Sequence, residues 1–156
     1  GEVTGRDIIA IPGDFSSAAF LILATLLAKN SQITIKDVGL NPTRTGFIQI
    51  LQMMGGDVTT SIDPSSSFEI KGSIKVRSSI LTGIDVPNNL IPLSIDELPL
   101  VFLAAACAHG TTTVRNATEL RFKESDRIKA MKNKEKTREQ KIAERIAYNQ
   151  QSQAVN

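Results

Sequence analysis

The residues best suited to chemistry lie in Glu119-Leu120-Arg121-Phe122-Lys123-Glu124-Ser125-Asp126-Arg127-Ile128. Lys123 and Arg127 are four apart, so on a helix starting near Lys123 they share one face. They would stand beside the unpaired amides and the positive end of the helix dipole, where phosphate or carboxylate is readily held. Arg127 offers a planar fork for an anion, and Lys123 a compact charge that can also give or take a proton. Glu124 adds a carboxyl group able to serve as a general acid. A solvated helix face of alternating charges has the same pattern, and residue physics leaves both readings open.

Asp96 is the second candidate. An acid in the first turn of a helix is explained by the dipole alone, and a catalytic role is the second reading of it. Ser94-Ile95-Asp96-Glu97 fits a capping box, which accounts for Glu97. Asn41-Pro42-Thr43-Arg44-Thr45-Gly46 reads as a capped turn, with Arg44 a cation that could meet an anion. Asp14, Ser16 and Ser17 read as N-cap chemistry. With one His and one Cys there is no metal-ligand cluster and no nucleophile–base pair to propose. No phosphate-loop or dinucleotide glycine pattern occurs, so nucleotide cofactors find no support.

The elements that must position these residues follow from periodicity and punctuation. A short strand, Ile8–Ile11, ends at Pro12-Gly13, and Asp14 caps a helix whose Ala18–Ala24 stretch is apolar on every side and so calls for surrounding protein. Ile33–Val38 alternates as a strand, and Asn41-Pro42 opens a second helix that Gly55-Gly56 closes. Strands are expected at Asp57–Ile62 and Phe68–Lys71, then extended chain over Ile74–Val86 broken by Gly83. A third helix spans Leu98–Ala108, with Cys107 as a small buried hydrophobe. His109-Gly110 closes that helix, Thr111–Arg115 reads as a strand, and a fourth helix begins at Lys123. The order strand, apolar helix, strand, polar loop, helix occurs twice at an offset of about 80 residues, as two copies of one folding unit. Residues 132–156 are polar and charged, and read as a frayed helix or disordered tail.

The 156 residues are 41% hydrophobic and 22% charged with net charge +2. That is the balance of a globular protein, with no electrostatic reason for nucleic acid or an anionic membrane as main partner. The longest apolar runs, roughly 11 residues, fall short of the ~18–20 that span a bilayer. No signal peptide is visible, and the single cysteine suits a reducing cytoplasm. The abrupt polar start suggests a chain cut from a longer one.

Three segments together resemble the 5-enolpyruvylshikimate-3-phosphate (EPSP) synthase family. They are Pro12–Phe20, Asn41–Gly46 and Glu119–Ile128, in matching order and spacing, and the resemblance covers Ile8 to about Ala130. It implies an α/β (α+β) fold of repeated βαβαββ units with buried parallel helices. Residues 1–131 would then be part of one domain of the enolpyruvyl transferase fold, with 132–156 as a tail. It implies transfer of the enolpyruvyl group of phosphoenolpyruvate to the 5-hydroxyl of shikimate 3-phosphate, with release of phosphate and no cofactor. By position, Asp96 matches the acid assigned as proton acceptor against the shikimate ring, and Lys123 a lysine near both substrates. Glu124 matches a carboxylate implicated in proton transfer, and Arg127 an arginine that holds phosphoenolpyruvate. The domain making most contacts to shikimate 3-phosphate, and the later arginine and lysine of the phosphoenolpyruvate site, have no counterpart here. An incomplete and inactive portion that self-associates through exposed apolar surface is therefore expected. The alternatives are a degenerate binding domain and a fragment of the sister transferase acting on UDP-N-acetylglucosamine.

Overall fold

The computed structural model describes residues 11–65 and 69–115. Its first helix, α1 (Phe15–Leu27), begins where expected because Asp14 accepts from the Ser17 amide at 2.7 Å and from the Ser17 hydroxyl at 2.7 Å. Strand β1 (Gln32–Gly39) follows, then helix α2 (Gly46–Met53) and strands β2 (Asp57–Ile62) and β3 (Lys71–Arg77). The three strands form one sheet in the order β1-β3-β2, with β3 antiparallel to both neighbours. Ile74 and Val76 of β3 and Val58 of β2 are buried, as are Ile22, Leu23, Leu26, Phe47, Ile50, Leu51 and Met54, and together these residues form the core. Helix α3 (Leu90–Leu93) and helix α4 (Leu98–Cys107) complete the described elements.

Both apolar helices are flanked by parallel bridges, and the second helix expected in the second copy lies outside the described residues. Gly13 bridges Val38 in parallel on either side of α1, and Thr82 bridges His109, and Asp85 Thr113, in parallel on either side of α4. The helix starts Phe15 and Leu98 are 83 residues apart, whereas the bridge residues before them, Gly13 and Thr82, are 69 apart. The difference is extra chain ahead of α4 in the second copy, and it contains α3. The offset of about 80 thus reflects the helices and not the strands.

Four local expectations are corrected. Asn41 does not cap α2: its Oδ1 accepts from the Thr43 amide and hydroxyl, and Arg44 N donates to Asn41 O, so 41–44 is a turn and α2 starts at Gly46. The strand expected over Phe68–Lys71 begins instead at Lys71. The capping box at Ser94 does not form, because the Ser94 hydroxyl donates backward to Leu90 O at 2.7 Å. Cys107 is exposed and not buried. Ile8–Ala10, the helix at Lys123 and the 132–156 tail lie outside the described residues.

Gly46 fixes where α2 begins relative to α3. A β-carbon there would stand 2.8 Å from Leu93 Cβ, 2.9 Å from the Leu93 carbonyl carbon and 3.0 Å from Leu90 O. Two of those three atoms belong to backbone, so the helices would have to separate. Gly46→Ala is expected to lower stability by about 1–3 kcal/mol, as overpacking does, measured as a lower urea midpoint at unchanged slope.

Candidate site at the starts of two parallel helices

Helices α1 and α4 pack side by side. At one end Ser16 of α1 and Glu97 at the start of α4 are hydrogen bonded. At the other end Leu26, Leu27 and Ala28 share a hollow of about 620 Å³ with Cys107 and His109. The helices therefore run parallel, with both N-termini at the same end. Two positive dipole ends are thereby brought together, and the sequence supplies acids there in Asp14, Asp96 and Glu97.

Glu97 is the least exposed of them. Its residue is 3% exposed, and it accepts from the Ser16 hydroxyl at 2.5 Å across 81 residues of sequence. Glu97 occupies the N-cap of α4 without making a capping bond from its side chain. Burial pushes its carboxyl group above the ordinary value, helped by the Asp96 charge and opposed by the Ser16 hydrogen bond and the Arg44 charge. Asp14 shows the opposite: hydrogen bonds from Ser17, with the Arg44 charge adding to them, hold it below its ordinary value.

Arg44 reaches into this cluster from the turn before α2. Its Nη2 donates to Ser16 Oγ at 3.2 Å and lies 3.7 Å from Asp96 Oδ2. The Arg44 and Asp96 side chains are 51% and 36% exposed, so solvent and a ligand can reach both. A hollow of about 360 Å³ lies alongside, lined in part by Gly13, Asp14, Asn41, Arg44 and Glu69. The cluster can position a carboxylate to take a proton from a bound hydroxyl, with a guanidinium beside it to stabilise the ionised form.

Of the four residues singled out for substrate chemistry, the structure describes Asp96. Lys123, Glu124 and Arg127 lie outside the described residues. Arg44 and Ser16 belong to the cluster although turn and cap chemistry explained them in the sequence. The polar Asn41–Gly46 turn with its single cation was the signal for Arg44, and Ser16 carried none beyond the cap. Among the described residues no group of His, Cys, Asp and Glu is arranged to hold a metal ion, and no helix is long and apolar enough to cross a membrane.

Comparison with known proteins gives a consistent answer. Residues 1–144 match the family model described as EPSP synthase (3-phosphoshikimate 1-carboxyvinyltransferase). A 3-phosphoshikimate 1-carboxyvinyltransferase from Geotalea daltonii is 54% identical over 130 residues, which is 83% of this chain and 30% of the relative. One from Legionella pneumophila strain Corby is 52% identical over 131 residues, 84% of this chain and 30% of the relative. A solved EPSP synthase from Acinetobacter baumannii superposes with TM-score 0.75 at 44% identity, covering 79% of this chain and 28% of that one. The chain thus spans about a third of the length of the relatives it matches.

The raised Glu97 value sets a pH dependence. A carboxyl group whose folded value lies above its ordinary value near 4.5 binds its proton more tightly in the folded state. Its contribution is full below that ordinary value and is lost as pH rises through the folded one. Asp14, shifted down, acts with the opposite sign and at lower pH. Glu97→Gln should therefore gain stability over the wild type as pH is raised above about 4.5, in paired urea titrations from pH 4 to 8. A constant difference across that range would show that burial does not raise the Glu97 carboxyl group above its ordinary value.

Proposed function

This chain belongs to the EPSP synthase family, and on that premise we propose that it carries part of the site that transfers the enolpyruvyl group of phosphoenolpyruvate to the 5-hydroxyl of shikimate 3-phosphate. The observation that supports this most directly is Asp96, partly exposed at the start of α4 and 3.7 Å from Arg44. In the proposed reaction Asp96 accepts the proton of the attacking hydroxyl, and Arg127 holds the phosphoenolpyruvate carboxylate in a fork. Lys123 neutralises anionic groups of both substrates, and Glu124 gives a proton to the methylene carbon of phosphoenolpyruvate as the hydroxyl oxygen adds, then takes one back from that carbon as phosphate leaves. No cofactor takes part, and the reaction belongs to aromatic amino acid biosynthesis in the cytoplasm. Because catalysis of this kind depends on groups converging from both sides of the substrates, this length of chain alone is expected to bind weakly and turn over poorly. Residues 1–131 would be the enolpyruvyl transferase portion.

Self-association belongs to the same proposal, and nucleic acid has no part in it. Phe20 is 64% exposed, Leu21 55% and Leu103 50%, on the outer faces of two helices that touch each other. Apolar surface spread over neighbouring helices is the usual mark of a covered face, and a second copy is the occupant proposed here.

Two measurements test these statements. Calorimetric titration with phosphoenolpyruvate and with shikimate 3-phosphate should show dissociation constants on the order of millimolar. Arg127→Ala should weaken phosphoenolpyruvate roughly tenfold or more, as expected for lost charge-assisted hydrogen bonds. Absence of binding to either ligand would overturn the functional reading. Sedimentation equilibrium should give a mass above the monomer that falls to the monomer in the Phe20→Lys, Leu103→Lys double variant. A monomeric wild type would remove self-association.

A further inference from the structure

The Arg44 guanidinium is fixed at both ends. Its backbone is held in the Asn41 turn, where Arg44 N donates to Asn41 O at 2.9 Å. Close packing of Gly46 on Leu90 and Leu93 holds the following helix start in place. Its head donates to Ser16 Oγ, and the Ser16 proton is committed to Glu97 Oε1 at 2.5 Å. Donors and acceptors in this chain run one way, from Arg44 through Ser16 to Glu97, because a guanidinium only donates and an oxygen of Glu97 accepts. The far end is buried, so the chain is moored in the core while its near end, 3.7 Å from Asp96, is open to solvent.

We propose that Arg44 is a positioning residue for Asp96, held in place by Ser16 and Glu97, so that the Asp96 carboxylate is presented to a substrate hydroxyl in one orientation. This rests on the reading of Asp96 as proton acceptor. An ion pair between two partly exposed side chains is weak when each is free to move, because ordering them opposes the attraction. Here one partner has been ordered in advance by folding, and that removes much of the opposing entropy. The charged groups facing Arg44 are Asp96, Asp14 and Glu97. Among the described residues Arg44 is a cation that acts on all three, so its loss would weaken the compensation of their mutual repulsion.

The test uses the full chain labelled with carbon-13 at the Asp and Glu carboxyl groups and nitrogen-15 at arginine. At neutral pH, Arg44→Gln and Ser16→Ala should each displace the Asp96 carboxyl resonance, and Arg44→Lys, which keeps the charge without the fork, should restore it part-way. In the wild type the Arg44 side-chain resonance should shift as Glu97 titrates, and Ser16→Ala should abolish that response. A structural role alone would leave this coupling and the charge rescue absent. An Asp96 resonance unmoved in Arg44→Gln, with the backbone spectrum intact, would overturn the proposal. If Arg44→Gln fails to fold, the wild-type titration and Ser16→Ala decide the matter, and an Arg44 signal blind to Glu97 overturns it. The ligand titrations above separate the two readings. Coupling without ligand binding sinks the functional reading and supports the positioning one; binding without coupling does the reverse.

Discussion

The arrangement depends on two apolar helices lying parallel with their N-termini at the same end. Side-by-side positive dipole ends repel, and the polar groups gathered there answer that repulsion. Asp14 caps one helix, Glu97 stands at the N-cap of the other, and Ser16 links them through a 2.5 Å hydrogen bond. Had the helices been antiparallel, each acid would face a negative end and the cluster would be unfavourable. The direction of the helices follows in turn from the parallel bridges flanking each of them, since a parallel connection returns every helix in the same sense. Site and fold therefore have a common origin.

Local signals in the sequence were legible where the interaction itself is local. Asp14 and Ser17 are three residues apart, and the cap between them forms as spacing suggests. The glycine stop at 55–56 holds for the same reason, with Gly55 at positive φ. Two of the misreadings share one cause. Asn41 and Ser94 can serve either a helix start or a neighbouring turn, and composition does not distinguish the two. Asn41 bonds Thr43 and closes a turn, and Ser94 bonds Leu90 at the end of α3, so neither starts the helix that follows. Cys107 misled because α4 is apolar around its whole circumference, and a helix without a polar face gives no sign of which side meets water. The Ser16–Glu97 bond, spanning 81 residues, has no periodic trace at all. The motif at Glu119–Ile128 stands on the resemblance and on the family to which the chain belongs.

The helix faces carry a related lesson. The all-round apolar character of α1 and α4 calls for protein on every side, and the described residues provide it on one. Ala19, Ile22, Leu23 and Leu26 are buried, while Phe20, Leu21 and Leu27 are exposed. In α4 Leu98, Val101 and Ala104 are buried and Leu103 is not. The buried set is enough to seat α1 on the sheet and α4 on α1 and α2, so the polar ends are ordered even though the outer faces remain open. Order at the helix starts therefore needs only the inner half of the packing.

The two copies of the folding unit show how surroundings, and not residue type, decide what an acid does. Asp14 and Glu97 occupy the same place, the N-cap of an apolar helix, and each bonds a serine of α1. Asp14 faces water and bonds within its own turn, and its carboxyl value falls. Glu97 lies in the core and bonds across to the other helix, and its value rises. The longer Glu side chain makes that crossing feasible, since the start of α4 already lies against α1 and α2. One copy thus uses its acid to begin a helix. The other commits its acid to joining two helices, and so provides the anchor from which Arg44 is held beside Asp96.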